Sequence, residues 1–128
     1  MLEPAKTILL VEDDREVREV ALSVMEAAGY CVIEAANGDD AYRLLLAHPD
    51  LRVDVLFTDV AMPGRFDGVD LANAARSLRP AVRVLFATGF ANLVRANRDI
   101  EMRGPVLRKP YRPADLRRAL IALLDGVG

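Results

Sequence analysis

Four of the apolar segments in this 128-residue chain are followed by side chains that can bind metal ions or phosphoryl groups. In chain order these side chains are Glu12, Asp13, Asp14, Asp59, Thr88 and Lys109. Crowded carboxylates raise one another's pKa unless a cation neutralises them, and oxygen-only ligands favour a hard ion such as Mg²⁺. A hydroxyl and an ammonium donate hydrogen bonds to phosphoryl oxygens, and a neighbouring aspartate can attack phosphorus. The set predicts phosphoryl chemistry with Mg²⁺, in which Asp59 is the candidate nucleophile.

No single member of this set predicts that chemistry. Asp59, in the stretch VLFTDVAMPG, also fits an ordinary turn that ends a strand. Lys109 before Pro110 fits a plain strand end, and Thr88 before Gly89 is uninformative by itself. The prediction therefore depends on whether the fold brings all of these segment ends into one cleft.

The apolar segments have the length and composition of β-strands, since most are rich in Val and Ile. They cover residues 7–11, 31–36, 53–58, 82–87 and 105–107. Segments of helical period lie between them, and residues 91–98 form a short, weakly periodic one. The first helical stripe contains Val17, Val20, Ala21, Val24 and Ala28, with Arg15, Glu16, Arg18 and Glu19 expected on the opposite, solvent-facing side. Further stripes occur around Leu44, Leu71 and Leu116.

Strands that alternate with helices and are apolar almost throughout are typical of a parallel sheet covered on both faces. Right-handed crossovers then build an α/β fold, a three-layer αβα sandwich. Ligands of such sheets bind outside the carboxyl ends of the strands, which is where the polar side chains stand. We interpret residues 1–128 as one domain, because no linker or repeat divides them.

Several stretches together resemble the receiver domains of two-component response regulators. They are ILLVEDD at the first strand, TDVAMPG and FDG around the third, FATGF at the fourth and RKP at the fifth. Their order and spacing are similar to those of the family over essentially the whole chain. The resemblance implies a flavodoxin-like sheet of five parallel strands in the order 2-1-3-4-5.

The resemblance also implies a role for each polar residue. Asp59 is expected to be the phosphoacceptor. The Mg²⁺ ligands are expected to be Asp13 directly, Glu12 through a water molecule, Ala61 through its backbone carbonyl, and Asp59. Thr88 is expected to bind the phosphoryl group, and Lys109 to pair with it. Lys109 is expected to precede a cis bond to Pro110, while Asp14 is expected to cap the first helix.

Three departures from the family pattern bear on signalling. The loop MPGRFDG is one residue longer than the commonest form, so Arg65 reaches either the phosphoryl group or solvent. Val106 stands where many receivers carry an aromatic switch residue, so we expect Thr88 and the loop after the fourth strand to carry the signal. Ala61 and Phe90 cannot position a water molecule through a side-chain hydrogen bond, which predicts slow loss of the phosphoryl group.

The predicted function is a phosphoacceptor that receives its phosphoryl group from a sensor histidine kinase or a histidine phosphotransfer protein. Phosphorylation is expected to change binding to a downstream protein or to drive dimerisation, and the chain is an enzyme only toward its own phosphorylation and dephosphorylation. One alternative is the receiver portion of a larger hybrid sensor histidine kinase. Less favoured alternatives are an Mg²⁺-dependent phosphatase, a pseudo-receiver and an FMN-binding electron carrier, whose phosphate is incompatible with the acidic EDDRE loop.

Composition narrows the possible partners and location. The formal net charge of -2 does not favour nucleic acid or membrane binding. The apolar run near the N-terminus is too short for a signal peptide or a membrane span, and the single Cys31, expected to be a buried thiol, fits the cytoplasm. His48 is expected at the surface. If the chain ends at Gly128, its output is expected to be phosphotransfer or protein contact.

Overall fold

The computed structural model describes residues 4–89 and 104–125. Five strands and four helices lie in this part of the chain. In chain order they are β1 (Thr7–Val11), α1 (Arg15–Ala27), β2 (Cys31–Ala35), α2 (Gly38–Ala47), β3 (Val55–Asp59), α3 (Gly68–Leu78), β4 (Arg83–Thr88), β5 (Val106–Arg108) and α4 (Pro113–Asp125). The helix predicted over residues 91–98, the loop after β4 beyond Gly89 and Phe90 all lie outside the described residues.

The strands form one parallel sheet in the order β2-β1-β3-β4-β5, as the resemblance implied. Register places Val11 opposite both Ala35 and Thr58, and Asp59 opposite Ala87. Because every strand runs in the same direction, their carboxyl ends share one edge of the sheet. This edge carries the predicted site.

Apolar side chains cover both faces of the sheet, which confirms the three-layer architecture. Successive residues of a strand point to opposite faces, so Ile8 and Leu10 pack on one side while Leu9 and Val11 pack on the other. Helices α1 and α4 cover the first side, and α2 and α3 cover the second. Every residue of β3 is buried, as expected for the central strand.

The apolar stripe of α1 is rotated from the predicted one. Ala21, Val24 and Met25 form its buried face, whereas Val20 is 49% exposed and Ala28 is an exposed C-cap. Arg18 does not face solvent as predicted, because its guanidinium binds the backbone next to the site. Apolar residues at i, i+3 and i+4 spacing form a broad stripe along the helix. The sequence does not determine which side of that stripe packs on the sheet and which side is exposed.

Strand boundaries differ from the predicted ones by one or two residues. Val53 and Val82 are buried but lie before the paired segments. The third and fourth strands instead extend to Asp59 and Thr88. Parallel pairing continues at these ends, where Val60 N–H donates to the Ala87 carbonyl at 3.0 Å.

Two predictions about single residues have opposite outcomes. Cys31 is exposed, so the expectation of a buried thiol is wrong. It begins β2, an edge strand whose first residues are only partly covered. His48 is at the surface as expected, at the C-terminal cap of α2. None of the described helices has the length and apolar character needed to cross a membrane.

Candidate functional site

The predicted site residues meet at the carboxyl edge of the sheet. Asp59 is the last residue of β3, Thr88 is the last residue of β4, and Glu12 follows β1 directly. All three are nearly inaccessible to solvent, with exposures of 5%, 0% and 3% respectively. Polar side chains buried to this extent need partners inside the protein.

Lys109 supplies the partner for two of them. Its Nζ atom is 2.5 Å from Glu12 Oε1 and 2.6 Å from Asp59 Oδ2, across sequence separations of 97 and 50 residues. The peptide bond from Lys109 to Pro110 is cis, as the resemblance implied. One ammonium therefore neutralises part of the charge of two buried carboxylates.

Burial and pairing act against each other on the pKa values of this group. Burial raises the pKa of Glu12 above its ordinary value, and the hydrogen bond and charge of Lys109 only partly offset that effect. Burial alone would lower the pKa of Lys109, but the hydrogen bonds and charges of Asp59 and Glu12 raise it. The ammonium form of Lys109 is therefore favoured, whereas burial makes the ionised form of Glu12 less favourable than it is in water.

The carboxylates of Glu12, Asp13 and Asp59 form a group that fits a divalent cation. One oxygen of each can be chosen so that all three lie within 4.8 Å of one another. Two of these side chains are buried and Asp13 is exposed, so the group opens toward solvent. Oxygen ligands, a negative charge and access for water suit Mg²⁺, which retains several waters when proteins bind it.

Ala61 lies against this group, because its backbone N–H donates to Asp59 Oδ1 at 3.2 Å. Asp59 thus has one oxygen bound by a backbone amide and the other by Lys109. These two hydrogen bonds hold the carboxylate in one orientation. The sequence alone did not predict the amide contact.

The segment after β1 is held by side chains of its own and of α1. Asp14 Oδ1 accepts hydrogen bonds from the backbone of Glu16 and Val17, which confirms its predicted capping role. Arg18 Nη1 donates to the Glu12 carbonyl at 2.7 Å, and Arg18 Nε lies 3.4 Å from Glu34 on β2. Sequence reasoning missed this role of Arg18, although an arginine one turn into a helix that follows an acidic triplet is a usable signal.

Arg65 and Val106, two of the residues in which the chain departs from the family pattern, lie in the part of the chain that the structure describes. Arg65 is exposed, and its backbone N–H binds Asp39 on α2. Val106 is half-buried in β5, opposite Phe86, and packs on the α2 and α3 side. Thr88 Oγ1 lies 3.3 Å from the Gly89 carbonyl, so its hydroxyl is at the start of the segment after β4.

Tyr111 lies behind the site with an unusual hydroxyl. Its ring contacts Phe57 edge to face, with centroids 6.0 Å apart. The hydroxyl is buried and, among residues 4–89 and 104–125, has no hydrogen-bond partner. Burial, followed by the negative charge of Glu12, raises the pKa of Tyr111 to about 12.

We expect Tyr111→Phe to stabilise the protein by about 1 kcal/mol, because it removes a buried hydroxyl without an acceptor. The folded-state pKa of Tyr111 lies above the ordinary value of 10, so its neutral form favours folding. That contribution is complete below pH 10 and is lost as the pH rises through about 12. Urea unfolding of both proteins across this range should show a smaller decline for the variant. A loss of stability in Tyr111→Phe at neutral pH would show that the hydroxyl has a partner.

Comparison with known proteins places this arrangement in a family. The family model for the response regulator receiver domain matches residues 8–121. The response regulator receiver protein CpdR of Brucella abortus is 38% identical over 112 residues, which cover 87% of this chain and 90% of CpdR. The sensor kinase CckA of the same species is 30% identical over 125 residues, which cover 97% of this chain but 13% of the kinase.

A solved structure agrees with these sequence relatives. The REC domain of AraT, a response regulator from Geobacillus stearothermophilus, is 29% identical and superimposes with a TM-score of 0.81. The match covers 97% of this chain and 96% of that one. The chain therefore belongs to the response regulator receiver domain family of two-component signalling, which confirms the resemblance found in its motifs.

Proposed function

We propose that this receiver domain accepts a phosphoryl group on Asp59 from a sensor histidine kinase or a histidine phosphotransfer protein. The observation that carries the proposal is the contact of Lys109 with both Glu12 and Asp59, beside the open acidic group that includes Asp13. A buried carboxylate that is oriented by two donors and lies next to a cation site is suited to nucleophilic attack on phosphorus.

The proposed transfer uses residues that already lie together. A carboxylate oxygen of Asp59 attacks phosphorus, and a phosphorus–oxygen bond forms as the phosphorus–nitrogen bond of the phosphohistidine breaks. The electron pair stays on the imidazole nitrogen of the donor, which takes a proton from solvent. In the proposed transfer, Lys109 and the Thr88 hydroxyl donate hydrogen bonds to the phosphoryl oxygens.

The proposed cation site consists of Glu12, Asp13, Asp59 and the backbone carbonyl of Ala61. In this proposal Asp13 would bind the ion directly and Glu12 would bind it through water, with Asp59 and the Ala61 carbonyl completing the ligand set. Bound Mg²⁺ supplies positive charge that neutralises the phosphoryl oxygens during transfer. The acids of this chain would hold the ion, and the exposed Asp13 leaves the group open toward an incoming phosphoryl donor.

Signalling is proposed to follow from the new charge on Asp59. The Thr88 hydroxyl turns toward the phosphoryl group and so changes the segment that begins at Gly89. This shifts the equilibrium between conformations toward one whose surface binds a downstream protein or a second copy of the chain. The chain acts as a single domain over residues 1–128, in the cytoplasm, with no chemistry other than its own phosphorylation and dephosphorylation.

The test is covalent labelling followed by intact mass measurement. The protein is incubated with Mg²⁺ and a small acyl phosphate, and its mass is expected to rise by one phosphoryl group. A chelator that removes Mg²⁺ is expected to prevent the change. Hydroxylamine, which displaces phosphate from an acyl phosphate, is expected to replace the phosphoryl group with a hydroxamate and so leave a smaller mass increase. An unchanged mass in the presence of Mg²⁺ would contradict the proposal.

An apolar depression beside the site supports docking of a protein donor. Val17, Val20, Pro110 and Tyr111 line it together with Lys109, and its volume is about 430 Å³. Val20 is 49% exposed and contributes apolar surface to this depression. A helical donor that presents a phosphohistidine to Asp59 could bury this apolar surface.

We expect Val20→Asp to slow phosphotransfer from a phosphohistidine donor by on the order of tenfold, because it places a charge in the docking surface. Labelling by a small acyl phosphate should keep its wild-type rate, since that donor needs no docking surface. Leu46→Asp is the matched control, because Leu46 is 50% exposed and lies on α2, away from this surface. Equal loss with both donors would indicate damage to the site instead of lost docking.

The receiver portion of a hybrid sensor kinase is a second assignment for the same chemistry. The match to a short part of the sensor kinase CckA favours it. In that setting the phosphoryl donor or the next acceptor belongs to the same polypeptide. The transfer chemistry proposed for Asp59 is the same in both assignments.

A further inference from the structure

The loop that follows Asp59 is closed at its base. Gly68 N–H donates to the Val60 carbonyl at 2.8 Å, so residues 60–68 leave the sheet and return to nearly the same point. A Cβ atom at Gly68 would lie 1.9 Å from the Asp59 carbonyl oxygen. Only glycine permits this approach. The hydrogen bond at the base fixes the two ends of the loop but not residues 64–66 on its far side.

A carboxylate from another element holds that far side. Asp39, in the first turn of α2, accepts hydrogen bonds from Arg65 N–H at 3.1 Å and from Phe66 N–H at 3.0 Å. Gly64 has a φ of +109°, and a Cβ there would lie 3.2 Å from Asp39 Oδ2. The carboxylate therefore sits against the loop backbone at three successive residues.

Two further contacts join the same elements. The rings of Tyr42 and Phe66 lie 4.7 Å apart. A Cβ at Gly38 would lie 2.4 Å from the Phe66 carbonyl oxygen, so the backbones of α2 and the loop are in direct contact. The loop thus has two anchors, one at the base on β3 and one on α2.

Ala61 lies between these anchors. Its N–H donates to Asp59 Oδ1, and its carbonyl is a proposed Mg²⁺ ligand. We propose that Asp39 is a positioning residue of the phosphoacceptor site, which holds the loop on α2 so that the Ala61 peptide units face Asp59 and the cation. The inference rests on the function proposed above. Asp39 itself touches neither the phosphoryl group nor the ion.

The irregular backbone of the loop gives the anchor a physical role. Residues 61–67 have no regular secondary structure, and a segment of this kind has many conformations to lose when the site forms. Two charge-assisted hydrogen bonds from backbone N–H groups to a single carboxylate select one of those conformations. Preorganisation of this kind is expected to appear mainly as cation affinity.

Four variants separate positioning from general stability. Asp39→Ala removes the anchor, while Asp39→Asn keeps an oxygen that can accept both hydrogen bonds, because Oδ1 accepts both in the wild type. Asp40→Ala is the matched control, because Asp40 also lies in the first turn of α2 but binds Asn37 at the helix cap and Arg43 within the helix. Gly64→Ala disturbs the same anchor from the loop side, since its φ is unfavourable for alanine.

The readouts are Mg²⁺ affinity by calorimetry and the amide resonance of Ala61 in metal-free protein. We expect Asp39→Ala and Gly64→Ala to weaken Mg²⁺ binding about tenfold and to shift the Ala61 resonance. Asp39→Asn is expected to restore most of the affinity. Asp40→Ala, which removes the same charge, is expected to match the wild type in both readouts.

The outcomes separate this inference from the proposed function. Wild-type affinity and an unchanged Ala61 resonance in Asp39→Ala would overturn the positioning role while leaving the phosphoacceptor intact. Equal weakening by Asp40→Ala would also overturn it, because the effect would then come from charge alone. If Asp39→Ala does not fold, Gly64→Ala and Asp39→Asn decide the question by the same readouts. A wild type that binds no Mg²⁺ would overturn the proposed function and this inference together.

Discussion

Asp59→Asn is expected to abolish covalent phosphorylation, so that its intact mass stays unchanged after incubation with Mg²⁺ and a small acyl phosphate. The amide retains the shape of the carboxylate and can still accept from Ala61 N–H. It has no anionic oxygen to attack phosphorus, and it contributes less charge to the group formed with Glu12 and Asp13. Labelling should therefore fall to the background level instead of slowing.

The matched control for this variant is Asp54→Asn. Asp54 lies just before the opposite end of β3, where its carboxylate accepts from Thr7 N–H at 2.8 Å and pairs with Arg52. Asp54 is partly buried, whereas Asp59 is nearly inaccessible, but both carboxylates accept a backbone N–H and pair with a cation. Asp54 is remote from Lys109, so the variant should label like the wild type. A phosphoryl group found on Asp59→Asn, mapped to any other residue, would contradict the assignment of Asp59.

Lys109→Met is expected to destabilise the metal-free protein by about 2 kcal/mol at neutral pH. Removal of one partner leaves the two nearly inaccessible carboxylates of Glu12 and Asp59 without their shared cation. Loss of a partner from a fully buried ion pair costs about 3–5 kcal/mol, and the 21% exposure of the Lys109 side chain reduces that cost. Urea unfolding of wild type and variant without metal measures the difference.

The pH dependence of this loss has a definite sign. Burial already raises the pKa of Glu12 in the wild type, and removal of Lys109 takes away a group that lowers it. Glu12 then binds a proton more strongly in the folded than in the unfolded state, so the stability difference from wild type should shrink as the pH falls from neutral toward that raised pKa. Mg²⁺ should reduce the same difference, because a bound cation replaces the missing ammonium.

Arg52→Ala is the control for Lys109→Met. Arg52 also pairs with an aspartate, Asp54, but its side chain is 72% exposed. Water screens such a pair, so the variant should remain within about 1 kcal/mol of the wild type and should not respond to Mg²⁺. Equal stability of Lys109→Met and wild type at neutral pH would mean that the buried carboxylates do not depend on the ammonium.

Most of the fold was predictable because local patterns carry it. The alternation of apolar strands with amphipathic helices determines a parallel sheet, and parallel strands must bring their carboxyl ends to one edge. The residues that follow those strands, among them Asp59 and Lys109, could therefore be assigned to one cleft before any distance was known. The boundary errors at β3 and β4 arose where loop valines are as buried as strand valines.

The features that were missed all depend on contacts between distant segments. Arg18 contacts the backbone beside the site and Val20 is exposed, which is the reverse of the prediction. The rotation of α1 about its axis is set by packing against the sheet. Cys31 is exposed because β2 is an edge strand, which follows from the strand order and not from the composition of β2. Periodicity defines the faces of an element but not its neighbours.

The sequence by itself determined the class of fold, the order of the strands through its resemblance, and the residue types available for phosphoryl chemistry. Only the tertiary structure decided that Lys109 neutralises Glu12 and Asp59 together and that Asp39 holds the loop beyond Asp59. The physical reason is that hydrogen bonds and ion pairs act over about 3 Å. Contacts between residues that are 26, 50 or 97 positions apart therefore exist only once the sheet and its crossovers have placed them.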